Sequence, residues 1–195
     1  MSKYLNIYLL AFLLIVFGCN EENELEQSPL NSFSMNIDDQ PWQPSIIEND
    51  PCFSTFHCEW SAIDQVPFYT IKAYKDSKSR TDHMSQNFFR IQIMDIDSIG
   101  LYNISDPHGD FNSYAMFINN ESGTQEIYEN SATENTSIVE IEEIIPIKGS
   151  DLNGIKGSFN GILYNKNNPN DSIVIDNCKF NFKKINWRNF CQCAE

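Results

Sequence analysis

The sequence predicts an all-β domain, an antiparallel β-sandwich or partly open β-barrel, over residues 32–195. Short runs in which apolar and polar residues alternate recur along this region, and such alternation is typical of half-buried strands. Clusters of Asn, Gly, Asp and Pro separate the runs, as expected of turns. No segment of the region has the apolar spacing of a helix. Hairpin connections between such strands favour antiparallel sheets.

Residues 1–18 are predicted to be a lipoprotein signal peptide. A single charge, Lys3, precedes an apolar run over residues 9–17. That run suits a secretory signal and is shorter than the roughly 20 residues of a membrane-spanning helix. The residues Val16–Cys19 then resemble a bacterial lipobox, which implies that the chain is cut before Cys19 and that Cys19 is acylated. Two or more acyl chains would hold the protein stably at a membrane.

Residues 19–31 are predicted to form a solvated tether. Four of the six residues from Glu21 to Glu26 are acidic, and such a segment cannot pack into a core. The acidic run resembles the sorting signal that directs Bacteroidota-type lipoproteins to the cell exterior. A simple spacer explains it as well, so both the periplasmic face of the outer membrane and the cell surface stay open.

The domain is predicted to contain a series of short strands, the last two of which form a hairpin. In this hairpin Phe159 and Leu163 share one face of the first strand, and Cys178 and Phe180 share one face of the second. Residues 43–66 match no strand pattern and are predicted to be a long loop. The predicted strands cover residues 33–38, 68–74, 87–96, 100–105, 113–119, 125–130, 136–147, 155–165 and 172–184, with a turn at 165–171.

The charge of the chain excludes one class of partner. Its formal net charge is −14, so it would repel the phosphates of a nucleic acid. It would also be repelled by an anionic membrane surface. The lipid on Cys19 is therefore the predicted membrane attachment.

Six cysteines in an exported chain indicate disulfides. With Cys19 reserved for lipid, five remain, so at least one stays unpaired. Cys52 and Cys58 enclose a short loop and are the favoured pair, and Cys178 would then pair with a cysteine of the C-terminal tail. The cysteines lack the C-x-x-C spacing of zinc sites, and we predict neither a metal nor a cofactor.

No catalytic residue is predicted. His57, His83 and His108 lie in polar contexts without a nucleophile motif, and each is expected at the surface. Glu140 and Glu142 share a predicted strand face, as a glycosidase pair would. A solvated strand face explains them equally well.

Aromatic residues offer the remaining candidate site. Trp42, Trp60 and Tyr114 are candidates for stacking on sugar rings, although aromatic side chains of all-β proteins belong first to the core.

The order of these parts resembles a group of small Bacteroidota lipoproteins. A lipobox is followed by "SFSMNIDDQPW", by a middle of β-strands, and by "IKGSFNGILYN" and "DSIVIDNCKFNF". The resemblance implies an outer-membrane or cell-surface lipoprotein and no particular activity. We expect a non-enzymatic binding or accessory module for a glycan or protein. The alternatives are an extracytoplasmic hydrolase and a β-barrel carrier of a small apolar ligand.

Overall fold

The computed structural model describes residues 31–44, 55–75, 87–105, 107, 112–133 and 136–187. No helix in these ranges is long and apolar enough to cross a membrane. The described residues form strands β1 (Asn31–Ile37), β2 (Gln40–Trp42), β3 (Phe56–Ile63), β4 (Val66–Tyr74), β5 (Phe88–Met94), β6 (Gly100–Asn103), β7 (Tyr114–Asn119), β8 (Glu126–Asn130), β9 (Ile138–Pro146), β10 (Asn153–Asn165), β11 (Asn168–Phe182) and β12 (Asn186–Trp187).

The strands form two layers that are continuous through β10. The first layer has the order β12-β3-β4-β5-β7-β8, and the second has the order β6-β9-β10-β11-β1-β2. All pairings are antiparallel except the short parallel pairing of β12 with β3. The series of hydrogen-bonded strands ends at β12 and at β2, which do not pair with each other, so the sheet is open. The predicted all-β fold is confirmed, and it is sandwich-like.

Strand β10 joins the layers because its partner changes along one edge. Residues from Asn153 to Asn160 pair with β9, whereas residues from Leu163 to Asn165 pair with β8. Its other edge pairs with β11 along nearly its whole length. The edge of β10 therefore passes from the second layer to the first between Asn160 and Leu163.

Aromatic side chains fill the space between the two layers. The Phe33 ring of β1 lies 5.9 Å from that of Phe89 on β5, and Phe89 lies 5.8 Å from Phe159 on β10. Trp42 meets Phe117 edge-on at 5.9 Å. These rings come from opposite layers, so removing their large apolar surfaces from water holds the sandwich together.

Strands β9 and β11, the partners of β10 in the second layer, each carry a β-bulge. In β11 the register passes from Phe159↔Cys178 to Gly161↔Ile175, so one residue of β10 faces two of β11. Asn177, with φ of 46°, lies in this bulge. In β9 a similar irregularity occurs where Lys156 pairs with Glu143 and Gly157 with Ile141. A bulge bends its strand and re-aims the side chains around it.

The structure confirms most predicted strands, including the inward faces of the final hairpin. It contradicts the predicted loop at residues 43–66, because β3 lies within it. In β3 the inward residues Phe56, Cys58 and Trp60 alternate with polar ones, but the mixed composition hid that alternation. The predicted turn at 165–171 is also too long. The strands turn at residues 166–167, where the Asn165 side chain accepts a hydrogen bond from Asn167 N at 3.0 Å.

Candidate functional site

An open groove of about 450 Å³ lies on the outer face of the second layer. That volume falls within the range of small-molecule and side-chain binding sites. Strands β6 and β9 form one wall, β10 forms the floor, and β11 forms the other wall. Its lining residues are Leu101, Thr136, Ile138, Glu140, Ser158, Asn160, Gly161, Ile162, Val174, Ile175 and Asp176.

Aliphatic side chains project from these strands into solvent. Leu101 is 68% exposed, Ile138 is 40% exposed and Val174 is 45% exposed. Ile162 is half-buried on the floor between them, and Ile99, beside the wall, is 65% exposed. A single exposed aliphatic residue is ordinary, but a contiguous exposed group marks an interaction surface.

The groove lies where β10 changes partner. Pairing with β9 ends at Asn160, and beyond it the hydroxyl of Ser137 donates to the carbonyl oxygen of Ile162 at 3.4 Å. On the opposite side, the side-chain oxygen of Asn160 accepts a hydrogen bond from Asn177 N at 3.2 Å. The bulge in β11 is thereby tied to the floor of the groove.

Both charged residues that line the groove are acidic. Glu140 stands on the β9 wall and Asp176 on the β11 wall. The nearby Lys156 on the same face is held by Glu142, with Nζ 2.9 Å from its carboxylate. Lys179 lies opposite Ser158 of the floor, in the same register row as Glu140. The walls therefore combine aliphatic surface with negative charge.

A second cluster, the polar row, lies on the outer face of the first layer. It consists of His57, Glu59 and Lys72, together with Arg90 and Gln92. His57 Nε2 lies 2.6 Å from a carboxylate oxygen of Glu59, and Lys72 Nζ lies 3.0 Å from the other oxygen. Burial raises the pKa of the Glu59 carboxyl, but the hydrogen bonds and charges of His57 and Lys72 outweigh this, so the pKa lies below its ordinary value.

Arg90 extends the polar row across the sheet. It pairs with Lys72 in register, donates to the Gln92 side-chain oxygen at 3.3 Å and places its guanidinium carbon 5.2 Å from the ring centre of Tyr114. Burial raises the pKa of Tyr114, and the charge of Arg90 opposes that effect. Arg90 Nε and His57 Nδ1 are buried and lack a hydrogen-bond partner.

The polar row does not assemble a catalytic site from the residues described. His57 directs Nε2 at Glu59 and stacks on Tyr74 at a centroid distance of 6.0 Å. A catalytic base would instead need a serine or cysteine within hydrogen-bond reach, and neighbouring Cys58 packs into the core on the opposite face of β3. Within the described ranges, no group of three or more His, Cys, Asp or Glu residues could hold a metal ion.

The structure separates the three aromatic residues predicted to stack on sugars. Trp42 is 6% exposed and belongs to the core, where it packs against Phe33 and Phe117, so that expectation is wrong for Trp42. Trp60 is half-buried and packs against the same core. Tyr114 is half-buried on the outer face of the first layer beside Arg90. The three do not form one platform, because Trp42 points inward and Tyr114 points outward.

The described cysteines are free and buried. Cys58 and Cys178 both have fully covered side chains, and burial raises the pKa of each thiol. Because both thiols are free, the structure forms neither the predicted Cys52–Cys58 bridge nor the predicted pairing of Cys178 with a cysteine of the C-terminal tail. Cys19 lies outside the described residues, so its acylation stays a prediction.

The expectation of a surface histidine is wrong for His57, which is 5% exposed. Its ring is covered because it stacks on Tyr74 and bonds to Glu59. His83 and His108 lie outside the described residues. Glu140 and Glu142 are both exposed, as a solvated face predicts. They do not act as a pair, because Glu142 lies in the β9 bulge and bonds to Lys156.

Sequence reasoning missed the groove, because the bulges that shape β9 and β11 leave no local signal and because β6 joins β9 from an earlier part of the chain. The available signal was a set of aliphatic residues at outward strand positions, among them Ile138, Ile162 and Val174.

The fold and the groove together define an open antiparallel β-sandwich domain with an exposed aliphatic surface. Residues 30–183 match the model of a family described as a domain of unknown function, DUF5025, and the chain belongs to this family. No curated protein and no solved structure matches the chain significantly.

Proposed function

We propose that this chain is a lipid-anchored protein of the outer membrane or cell surface whose sandwich domain binds a partner protein through the outer groove. One observation carries the proposal: aliphatic side chains line the groove and stand in solvent. None of its lining residues is aromatic. An aliphatic centre with a polar rim is typical of protein interfaces, whereas sugars are commonly bound on aromatic rings.

The anchor in this proposal rests on the sequence. The apolar run before Cys19 and the lipobox-like residues ahead of it favour acylation at Cys19. The acidic tether would then hold the domain away from the membrane, because its charges repel anionic head groups. A domain displayed in this way needs only a binding surface to act as an accessory module.

The alternatives have less support from the geometry. A hydrolase would need a nucleophile beside a base, or two carboxylates that converge in a cleft. The polar row supplies neither from the residues described. The groove does hold Glu140 and Asp176, but they stand on opposite walls of an open, solvent-facing surface. A carrier would need room between the layers for its ligand. Aromatic contacts such as Phe33–Phe89 and Phe89–Phe159 occupy that space instead.

Membrane fractionation tests the anchor. The native protein should be recovered with the envelope, and Cys19→Ala should release it or leave it unprocessed. Mass spectrometry of the native N terminus should find an acylated cysteine at position 19. A native N terminus without an acyl group at Cys19, or a Cys19→Ala variant that is cleaved and still recovered with the envelope, would contradict the anchor.

Photo-crosslinking in the native cell tests the groove. A photoreactive amino acid at Ile138 or at Val174 should each give the same discrete protein adduct. The same amino acid at Glu121, an exposed position between β7 and β8, should not give it. Leu101→Ser should weaken the adduct formed from position 138. Equal adducts from position 121, or none from either groove position, would overturn the proposed protein-binding role.

A further inference from the structure

We infer that the groove accepts a basic segment of a partner protein, in which an apolar side chain inserts between the walls and lysine or arginine residues lie on either side of it. This inference rests on the proposed function and specifies the chemistry of the partner.

The apolar part of the partner follows from the shape of the groove. Ile138 and Leu101 on one wall face Val174 on the other, with Ile162 on the floor. An aliphatic or aromatic side chain placed between them would remove these exposed surfaces from water. That burial is favourable in proportion to the apolar area removed from water, so the inserted side chain would anchor the segment.

The basic part follows from the positions of the two acids. Glu140 and Asp176 stand on opposite walls, so a bound segment passes a carboxylate on each side of its apolar anchor. Glu140 is exposed and Asp176 is half-buried. No lining residue is basic, and Lys156 is already paired with Glu142. Lys179 stands across the floor from Glu140, in the register row of Ser158, so a basic residue of the partner would be less favoured on that part of the β11 wall.

Two other occupants are disfavoured by charge. A second copy of this chain would bring the same two carboxylates to the interface, and each chain carries a formal net charge of −14. An anionic lipid surface would meet the same repulsion. A basic protein instead gains from the long-range field of the acidic chain, which speeds encounter and weakens with added salt.

Two model peptides of equal length test the inference on the full-length protein in detergent. One alternates leucine with lysine, and the other alternates leucine with glutamate. In spectra of methyl-labelled protein, the lysine peptide should shift the resonances of Leu101, Ile138 and Val174, and leave Ile127 on the first layer unshifted. Raising the salt from about 0.05 M to about 0.5 M should weaken its binding several-fold, because the charge pairs are exposed.

Paired variants separate the local acids from the overall charge. The double variant Glu140→Gln with Asp176→Asn should lower the affinity of the protein for the lysine peptide about fivefold or more. The control double variant Glu121→Gln with Asp64→Asn removes the same amount of negative charge at exposed positions outside the groove. It should lower the affinity for the lysine peptide less than twofold.

The outcomes distinguish the two levels of the proposal. Equal losses from both pairs of variants, or equal binding of the glutamate peptide at the groove, would overturn the basic partner and leave an apolar docking surface standing. If neither peptide shifts the groove methyls and position 138 gives no crosslink, the groove itself is overturned as a binding site.

Discussion

On most sheets the outward polar residues are exposed and the apolar residues are buried. The outward faces of the two layers depart from this rule in opposite ways. On the first layer, polar side chains that point away from the core are nevertheless covered, with Thr70 2% exposed and Gln92 5% exposed. On the second layer, aliphatic side chains that point outward stand in solvent, with Leu101 68% exposed. Burial of polar groups demands partners, whereas exposed apolar groups are tolerated when they serve an interface.

This difference assigns the two faces different roles. The polar row on the first layer is internally bonded through Glu59, which accepts from both His57 and Lys72, so its charges are used for structure. The groove on the second layer leaves its aliphatic side chains and Glu140 without comparable use inside the fold. The first face therefore stabilises the protein, and the second is available for binding.

The largest expected effect concerns the strand that both faces share. Gly157→Val should destabilise the protein by about 3 kcal/mol, because a Cβ there would collide with the carbonyl oxygen of Glu140 and the ring of Phe180. Ser158→Val is the matched control, since position 158 faces outward on the groove floor. It should change the unfolding free energy by less than about 0.5 kcal/mol. Urea denaturation measures both, and equal losses would show that the close approach at Gly157 is unimportant.

The next largest effect compares one carboxylate on each face. Glu59→Ala should destabilise the protein by about 2 kcal/mol, because it leaves His57 and Lys72 without their acceptor in a covered position. Glu142→Ala breaks the exposed pair with Lys156, in which the side chains are 39% and 44% exposed. It should cost less than about 0.5 kcal/mol. If the two variants lose equal stability in urea, the polar row is not the stabilising face.

The pH dependence of stability sharpens the same comparison. The folded pKa of Glu59 lies below its ordinary value of 4.5, so its contribution is present above pH 4.5 and disappears as the pH falls through the folded pKa. The stability difference between the native protein and Glu59→Gln should therefore shrink on acidification. Denaturation series at about pH 7, 5 and 3 measure it. A difference that stays constant or grows would contradict the assigned ion pairs.

The smallest effect on stability is expected in the groove. Leu101→Ser should change the unfolding free energy by less than about 0.5 kcal/mol, because the Leu101 side chain is 68% exposed. Ile138→Ser should cost about 1 kcal/mol, because more than half of the Ile138 side chain is already covered. The same variants should nevertheless weaken peptide binding and the crosslink from position 174. A large loss of stability would show that these side chains support the fold. That result would contradict their assignment as a surface reserved for a partner.

Local pattern was sufficient for most of the strands. Alternation placed Tyr69, Ile71 and Ala73 on one inward face of β4, as the structure confirms. The alternation of β3 was missed, although Phe56, Cys58 and Trp60 alternate with polar residues. The sequence also could not show that His57 and Glu59 become covered, because Lys72 and Tyr74 of the neighbouring strand cover them. Local pattern also missed the bulge at Asn177, which shifts the inward phase of β11 between Ile175 and Cys178.

The candidate site was less predictable than the fold. Trp42 was a reasonable candidate for sugar stacking from its residue type. Only the packing of its ring, on the second layer, against Phe117 of the first layer decided that Trp42 lies in the core. The groove could not be located from sequence, because it depends on the register of three consecutive strands, β9, β10 and β11, and on the pairing of β9 with β6, which brings Leu101 beside Ile138 and Val174.

The sequence by itself determined the strand-rich class, the strong negative charge and the expectation of an anchor at Cys19, since these depend on composition and short-range pattern. Tertiary structure alone decided which outward residues are covered and which are exposed. The physical reason is that exposure depends on the strand that lies alongside, and that neighbour is chosen by the long-range register of the sheet.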